Sequence, residues 1–467
     1  MFGTNGIRGV VNRDFKPEFT TKVAEAIGTF FEQSEIIIGC DGRSSNVMLK
    51  SGVTSGLVAT GCSVYDAGLA PTPCIQYAAR SHRFGGGVMI TASHNPAEYN
   101  GIKVLGKDGV EVSRREEIKI ENTFFRNKAD RVEWQKVGRR SILDGVLEDY
   151  MDAIIGHVRV NDIRKRRFHV VLDSANGVAS LVSPRMLREL GCRVTSLNAD
   201  LSGEFPGRTP EPRPENLSDL RKTVRMTGAH FGVAFDGDAD RTIFVDETGE
   251  VQWGDRTFAL IEDHFLAGNP GEKVVTPVSS SQVVRDVAEK HESNVIWTKV
   301  GSTIVSHTMK KTRTKLGGEE NGGVFYGPHQ PVRDGAMTIA LILEIMARSN
   351  RKLSKLLNDL PRYYIKKGKI HCPNAQKDLV LERLNDSVKQ LEPETVDGVK
   401  LWFSDGSSIL IRPSGTEPVY RFYAEARTIE KASRLITLYK RKLQAFVGST
   451  RSESKEPEET TIENLPM

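Results

Sequence analysis

Short, continuous apolar runs recur along the chain, each followed by a polar turn, a stretch of helical length and a second apolar run. This unit occurs three times. IIIGCDGRSS, from Ile36, leads to GCSVYD at Gly61 to Asp66; VVLDSANG, from Val170, leads to GCRV at Gly191 to Val194; VVTPVSSS, from Val274, leads to NVIW at Asn294 to Trp297. Apolar runs without polar alternation suit strands covered on both faces of a sheet. Twenty residues separate Asp41 from Gly61 and eighteen separate Asp173 from Gly191, which leaves room for a helix of about three or four turns and a glycine stop. The pattern predicts β-α-β crossovers in three consecutive, similar α/β domains with mixed sheets.

Seams are expected near Tyr150, Gly249 and Tyr364, giving domains over residues 1–150, 151–249 and 250–364. From about Ile365 the pattern changes. Short strands in VKLWFSDGSSILIRP and VYRFYAEAR, with a closing helix from Glu430 to Phe446, predict a smaller α+β domain over residues 365–449. Residues 450–467 are rich in Ser, Glu and Pro, lack apolar periodicity, and read as a disordered tail.

A length of 467 residues agrees with three to four domains and excludes a single small binding module. The formal net charge is +5; because the tail holds two basic and five acidic residues, the folded body is nearer +8. That bias suits an anionic small substrate as well as it suits a polyanion, and no basic run is interleaved with aromatics as single-strand nucleic-acid binding requires. The densest basic cluster, RVNDIRKRR from Arg159 to Arg167, reads as a solvated connector or helix face. Five cysteines, odd in number and without a C-x-x-C pair, indicate neither a disulfide framework nor a zinc knuckle. With no signal-peptide pattern and no apolar run approaching 18 residues, the expectation is a cytoplasmic protein with neither membrane nor nucleic-acid partners.

Four segments carry candidate chemistry. In GVMITASHNPAEYNG, from Gly87 to Gly101, a strand runs into a turn closed by Pro96. Ser93 there is either a helix cap or a nucleophilic or phosphate-carrying hydroxyl with His94 beside it. FGVAFDGDADRTIFVD sets Asp236, Asp238 and Asp240 on a loop between two strands, where alternate spacing turns three hard oxygen ligands toward one point, as Mg²⁺ requires. Crowded carboxylates repel unless a cation offsets them, and Arg241 is a charge partner for a phosphate. Glu247 falls where a calcium EF-hand loop would end, but Arg241 takes the glycine position and the flanks alternate like strands. LGGEENGG puts Glu319, Glu320 and Asn321 between glycine pairs, which suits recognition of hydroxyls or a plain solvated hairpin. IRPSGTEP, after the strand SSILI, offers Arg412, two hydroxyls and consecutive N–H groups as a phosphate nest, or is an ordinary turn. One motif in each domain describes phosphoryl transfer on a phosphorylated sugar.

TASHNP with DGDADR, the GEENGG and PSGTEP segments in the same order, and FGTNGIRG at the start resemble the α-D-phosphohexomutase superfamily of phosphoglucosamine mutases, phosphomannomutases and phosphoglucomutases. The likeness runs to about Gly448, and the style of GEENGG and VRDGAM is similar to the archaeal branch. It implies four domains around one central cleft, and a monomer or homodimer that isomerises a hexose phosphate. It implies that Ser93 carries the phosphoryl group and, with Asp236, Asp238 and Asp240, holds Mg²⁺, while Arg8 and Arg241 add positive charge. Lys103, and less so His94, match the general acid/base. Glu319 and Asn321 match readers of the sugar hydroxyls, and Arg412, Ser414, Gly415, Thr416 and Arg421 match the clamp on the phosphate that does not react. Hexose 1,6-bisphosphate is the implied intermediate and activator. FGTNGIRG with DGDADR leans toward glucosamine 6-phosphate, with mannose and glucose phosphates as the alternative; a metal-dependent sugar phosphatase and a non-catalytic sugar-phosphate binder are the other readings. The chain departs from the family at Cys40, near the retained Arg43, where a peripheral basic contact is expected to be lost. It departs again at Gly323, where many members have His, so that Lys103 gains weight as acid/base.

Overall fold

Each of the three repeats forms one sheet with its own crossover helices, and a fourth sheet closes the chain. The computed structural model describes residues 1–3, 5–415 and 417–453. The first sheet holds β1 (Ile7–Val10), β2 (Glu35–Cys40), β3 (Ser63–Leu69), β4 (Gly86–Ile90), β5 (Tyr99–Gly106) and β6 (Arg140–Ile142), in the order β1-β5-β4-β2-β3-β6. The second holds β7 (His169–Asp173), β8 (Arg193–Leu197), β9 (Phe231–Phe235), β10 (Thr242–Asp246) and β11 (Val251–Gln252), in the order β11-β10-β9-β7-β8. The third holds β12 (Val274–Pro277), β13 (Val295–Thr298), β14 (Leu316–Gly318) and β15 (Val324–Tyr326), in the order β13-β12-β14-β15.

The same four-strand motif lies in all three: β3-β2-β4-β5, β8-β7-β9-β10 and β13-β12-β14-β15. Its first three strands are parallel and joined by helices; its fourth returns antiparallel beside the third. The apolar runs sit where a doubly covered sheet needs them. Ile36, Ile37, Ile38, Val170, Val171, Val274 and Val275 have no exposed surface, and each such side chain contributes about 1.5–3 kcal/mol by leaving water.

The chain divides into two compact units, Met1–Pro361 and Arg362–Met467. The second unit contains β16 (Tyr364–His371), β17 (Val399–Trp402), β18 (Ser408–Pro413) and β19 (Val419–Ala426), antiparallel throughout in the order β16-β19-β18-β17. Helices Lys377–Val388 and Ile429–Glu453 complete its core around Leu384, Ile411, Phe422 and Leu443. The closing helix is therefore longer than the apolar periodicity predicts and takes in the first residues assigned to the tail, since Ser449 to Glu453 include neither Pro nor a glycine stop. The rest of that tail lies outside the described residues. No helix among the described residues is long and apolar enough to cross a membrane.

Candidate active site

The candidate loops of the first unit occupy one topological position. Residues 91–98 join β4 to β5, 236–241 join β9 to β10, and 319–323 join β14 to β15; in each case the last parallel strand delivers its carboxyl end to the loop. Ligand sites of α/β sheets form at these ends.

Ser93 is held in the left-handed region at φ 51°, a conformation costly for a residue with a Cβ and maintained only where the surroundings over-determine it. Its N–H donates to Thr91 Oγ1 at 2.8 Å, and Thr91 donates in turn to Asp41 Oδ2 at 2.6 Å. Arg43, buried beneath the loop, donates from Nε to Asp41 at 3.1 Å, from Nη1 to the carbonyls of Pro96 and Tyr99 at 2.6 and 2.8 Å, and from Nη2 to those of Ser93 and Asn95 at 3.0 and 2.6 Å. All five donors of its guanidinium are used. Arg43 is thus the clasp of the serine loop, a role that its retention beside Cys40 did not announce.

The serine hydroxyl donates to Asp236 Oδ2 at 2.9 Å. The approach needs Gly237, where a Cβ would stand 2.6 Å from the Ser93 carbonyl oxygen. Ala239 takes φ 63° to close the turn, and Thr72 fastens the loop by donating its N–H to the Asp238 carbonyl at 3.0 Å and its hydroxyl to Asp238 Oδ2 at 2.7 Å. Ligand oxygens of Asp236, Asp238 and Asp240 all lie within 4.8 Å of one another. Asp238 Oδ1 and Asp240 Oδ1 are buried without a hydrogen-bond partner among the described residues. Bare, converging carboxylate oxygens are the donor set a hard divalent cation takes up, so these residues fit a metal. Glu247, the would-be calcium ligand, instead accepts from the N–H and hydroxyl of Ser354 at 3.1 and 2.5 Å.

Cations crowd the same carboxylates. Lys103, on β5, donates from Nζ to Asp238 at 2.9 Å and Asp240 at 3.3 Å, with Glu111 at 3.8 Å. Burial works against its charge, but these three carboxylates outweigh it and push the ammonium pKa up. Arg241 donates from Nε to Asp236 at 3.0 Å. Burial and the neighbouring carboxylate of Asp240 push Asp236 up, with Arg241 opposing; Asp238, despite burial, is held down by Lys103 and Thr72. Arg8 reaches Asn95 Oδ1 with Nη1 at 2.9 Å, fixing the first strand to the serine loop. His94 Nδ1 lies 3.4 Å from the serine hydroxyl, and the Arg241 charge, then burial, then Arg8 and Arg333 drive its pKa down, so the ring is neutral.

Glu319 is buried, not on a solvated hairpin, and Arg333 ties it to the metal loop. Arg333 Nη1 donates to Glu319 at 3.3 Å and Nη2 to Asp240 at 2.5 Å. Burial pushes the Glu319 carboxyl up, with Arg333 opposing. Gly322, at φ 90°, accepts from the Thr242 N–H at 3.1 Å and docks the loop on β10. Asn321 Oδ1 accepts from the Gly323 N–H at 3.2 Å. A Cβ at Gly323 would stand 2.4 Å from Arg333 Cδ. The arginine therefore fills the space that a histidine at 323 would need. VRDGAM contained Arg333, but nothing in its spacing announced two partners 14 and 93 residues away.

In the second unit, Arg412 and Arg421 face each other across β18 and β19, and Lys369 pairs with Arg421 from β16. Like charges opposite one another repel unless acids or an anion offset them. Asp397 lies 2.9 Å from Arg412 and Glu417 2.5 Å from Arg421. Ser414 accepts from the Glu417 N–H at 3.2 Å, while Lys377 pins the loop by donating to the carbonyls of Ser414 and Glu417 at 2.5 and 2.6 Å. Gly415 is exposed, and Thr416 lies outside the described residues.

Sequence profiles of the phosphoglucomutase/phosphomannomutase α/β/α domains I, II and III match residues 1–131, 148–249 and 253–364, and that of the C-terminal domain matches residues 369–437. A phosphoglucomutase/phosphomannomutase of Thermococcus kodakarensis is 44% identical over 94% of this chain and 97% of its own length. A phosphoglucosamine/phosphogalactosamine mutase of Sulfurisphaera tokodaii is 41% identical over 94% and 98%. The crystal structure of a phosphoglucomutase/phosphomannomutase family protein from Burkholderia thailandensis superposes with a TM-score of 0.85 at 27% identity, covering 96% of this chain and 98% of that one. Four domain matches in order and two archaeal relatives at this identity over nearly the whole length place the chain in the α-D-phosphohexomutase family, and its class of activity is that of a mutase, an isomerase.

Proposed function

We propose that this mutase moves a phosphoryl group between the 6- and 1-positions of a hexose phosphate through phospho-Ser93 and a 1,6-bisphosphate, with glucosamine 6-phosphate as its principal substrate and glucosamine 1-phosphate as the product. One observation carries the chemistry: the Ser93 hydroxyl lies 2.9 Å from Asp236 beside two buried carboxylate oxygens without a hydrogen-bond donor. The bond from phosphorus to Ser93 Oγ breaks as one to the free sugar hydroxyl forms, and that hydroxyl loses its proton. The bisphosphate turns over, presents its other phosphate to Ser93, and leaves as the isomerised monophosphate. Asp236, Asp238, Asp240 and the oxygen at Ser93 would hold Mg²⁺, which when bound would supply positive charge to the transferring group.

The chain's own residues do the rest. The left-handed turn at Ser93 aims its oxygen at the acceptor, so that little orientational freedom is left to lose in the reaction. Arg241 and Arg8 add positive charge around the phosphoryl group, and Lys103, kept as an ammonium, serves as the acid/base: it gives a proton to Ser93 Oγ as it leaves and recovers one from the sugar hydroxyl. The His94 ring, held neutral because the arginines around it and burial disfavour its protonated form, is the weaker candidate for the same work. Glu319 and Asn321 read ring hydroxyls, and Arg412, Ser414, Gly415, Thr416 and Arg421 clamp the phosphate that stays. On this reading residues 1–150 carry the serine, 151–249 the metal, 250–364 the sugar contacts and 365–449 the distant phosphate. Five buried cysteine thiols suit a reducing cytoplasm.

Similarity to the Thermococcus phosphoglucomutase/phosphomannomutase favours a second reading, one enzyme acting broadly on glucose and mannose phosphates as well. Phosphorus NMR of the Mg²⁺-loaded, bisphosphate-primed protein on glucosamine, mannose and glucose 6-phosphates tests both. The expected result is a 1-phosphate without free phosphate, fastest from glucosamine 6-phosphate, and no turnover but retained substrate binding in Ser93→Ala. Comparable rates on all three sugars select the broad reading; release of inorganic phosphate, or full activity in Ser93→Ala, overturns both.

A further inference from the structure

A second concave, basic site lies at the opposite end of the metal-bearing sheet. Strands β7, β8 and β9 are parallel, and at their amino ends Arg164, Arg167, His169, Arg193 and His230 line a groove of about 660 Å³, with Gly191, Cys192 and Gly228 on its walls. The Asp236 loop leaves the other end of β9, so the groove is separated from it by the length of a five-residue strand. The cluster Arg159 to Arg167 supplies two of its arginines from the short helix Val160–Arg166 and its cap. This segment has no part in the phosphoryl-transfer site.

The groove is organised as well as charged. Arg193 and His169 are paired in register across β8 and β7, and Arg193 Nη2 donates to His169 Nδ1 at 2.6 Å. That leaves His169 Nε2 to carry the proton and donate to Thr195 Oγ1 at 2.9 Å. His230 Nδ1 accepts from the His169 N–H at 2.9 Å, so its own proton sits on Nε2. Arg164 is anchored to the Glu189 carbonyl through Nε and Nη2 at 3.1 and 2.8 Å, over Gly191, where a Cβ would come 2.8 Å from its Cγ.

Among the described residues, no carboxylate lines the groove. The acids nearby in sequence are engaged elsewhere: Asp162 lies 3.6 Å from Lys165, Glu189 pairs with Arg185, and Glu247, the acid that acts on His230 through space, is bound by Ser354. Three arginines that face solvent together, with the His230 Nε2–H between them, suit a phosphorylated ligand. The volume exceeds the needs of one phosphate and falls in the range of sites for nucleotide-sized molecules.

We propose that this groove binds a phosphorylated small molecule of nucleotide size, carrying more than one phosphate group, at a site separate from the phosphoryl-transfer centre. Calorimetric titration of the full chain with ADP tests it, because a nucleoside diphosphate supplies both the size and the charge. Wild type should bind, and Arg167→Ala combined with Arg193→Ala should weaken binding at least tenfold while mutase turnover without ADP stays as in wild type. Arg412→Ala with Arg421→Ala, in the second unit, should leave ADP binding unchanged. Since Arg193 also supports His169, Arg167→Ala alone, at an exposed position, provides a variant that keeps the fold and should still weaken binding. No binding by wild type, equal binding by the Arg167 variants, or loss only in the Arg412 and Arg421 variant overturns the proposal. So does an oligonucleotide that binds more tightly than ADP with the same dependence on Arg167 and Arg193.

Discussion

Arg43 shows how much of the serine loop's shape is decided by one side chain. Its fork satisfies four carbonyls of the segment from Ser93 to Tyr99 and the Asp41 carboxylate at once, and no other side chain presents five donors in that plane. Lysine at 43 keeps the charge but loses the fork, so the serine oxygen drifts from its aim. Arg43→Lys is expected to lower kcat roughly a hundredfold with KM little changed, as a displacement of about 1 Å at a reacting atom does. Steady-state kinetics beside a thermal melt check it; unchanged kcat in a folded variant would refute the positioning role. Ser93 and the three aspartates stood out in the sequence as candidates because their signals are local: a serine on a turn and carboxylates at alternate positions. Arg43, Thr72 and Arg333 were not, because what each does depends on partners brought close only by folding.

At the scale of elements, the three-fold repeat was visible as strand, helix and strand, but its second half was not. The return strands β5, β10 and β15 follow loops of different length and composition, so no common spacing marks them. Yet those loops hold the candidate residues, and their equivalence emerges only from the strand orders. The helix Gly254–Gly268 holds a feature of the opposite kind. Glu262, fully buried on it, has no donor for either carboxylate oxygen among the described residues, and burial, with a smaller push from Asp263, drives its pKa well above the usual range. An acid whose pKa is higher folded than unfolded contributes most stability below its unfolded value and loses it as pH rises toward its folded value. Glu262→Gln should therefore leave stability nearly unchanged at pH 4 and raise it by about 1–3 kcal/mol at pH 8, in urea unfolding at both pH values. An equal effect at the two would show that the carboxyl titrates normally.

At the scale of the molecule, the second unit has a core of its own, built by Val380, Leu384, Leu401, Ile411, Phe422 and Leu443. Residues 362–467 made alone should unfold cooperatively in urea. Residues 1–361 made alone should still bind Mn²⁺ through the aspartate loop but turn over hexose phosphate about a thousandfold more slowly, because the arginines that would clamp the second phosphate are gone. Metal binding and turnover measured on the two fragments distinguish this from a unit that serves stability alone.

The sequence by itself determined the α/β class, the repeated crossovers and the candidate residues of each loop, since these follow from apolar periodicity and from residue types within a few positions of one another. Only the tertiary structure decided that Ser93 meets Asp236 across 143 residues, that Lys103 and Arg333 offset the aspartates, and that Gly323 leaves its space to an arginine. Those pairings depend on which strand lies beside which, and strand order is set by the packing of the whole sheet, which no local pattern records.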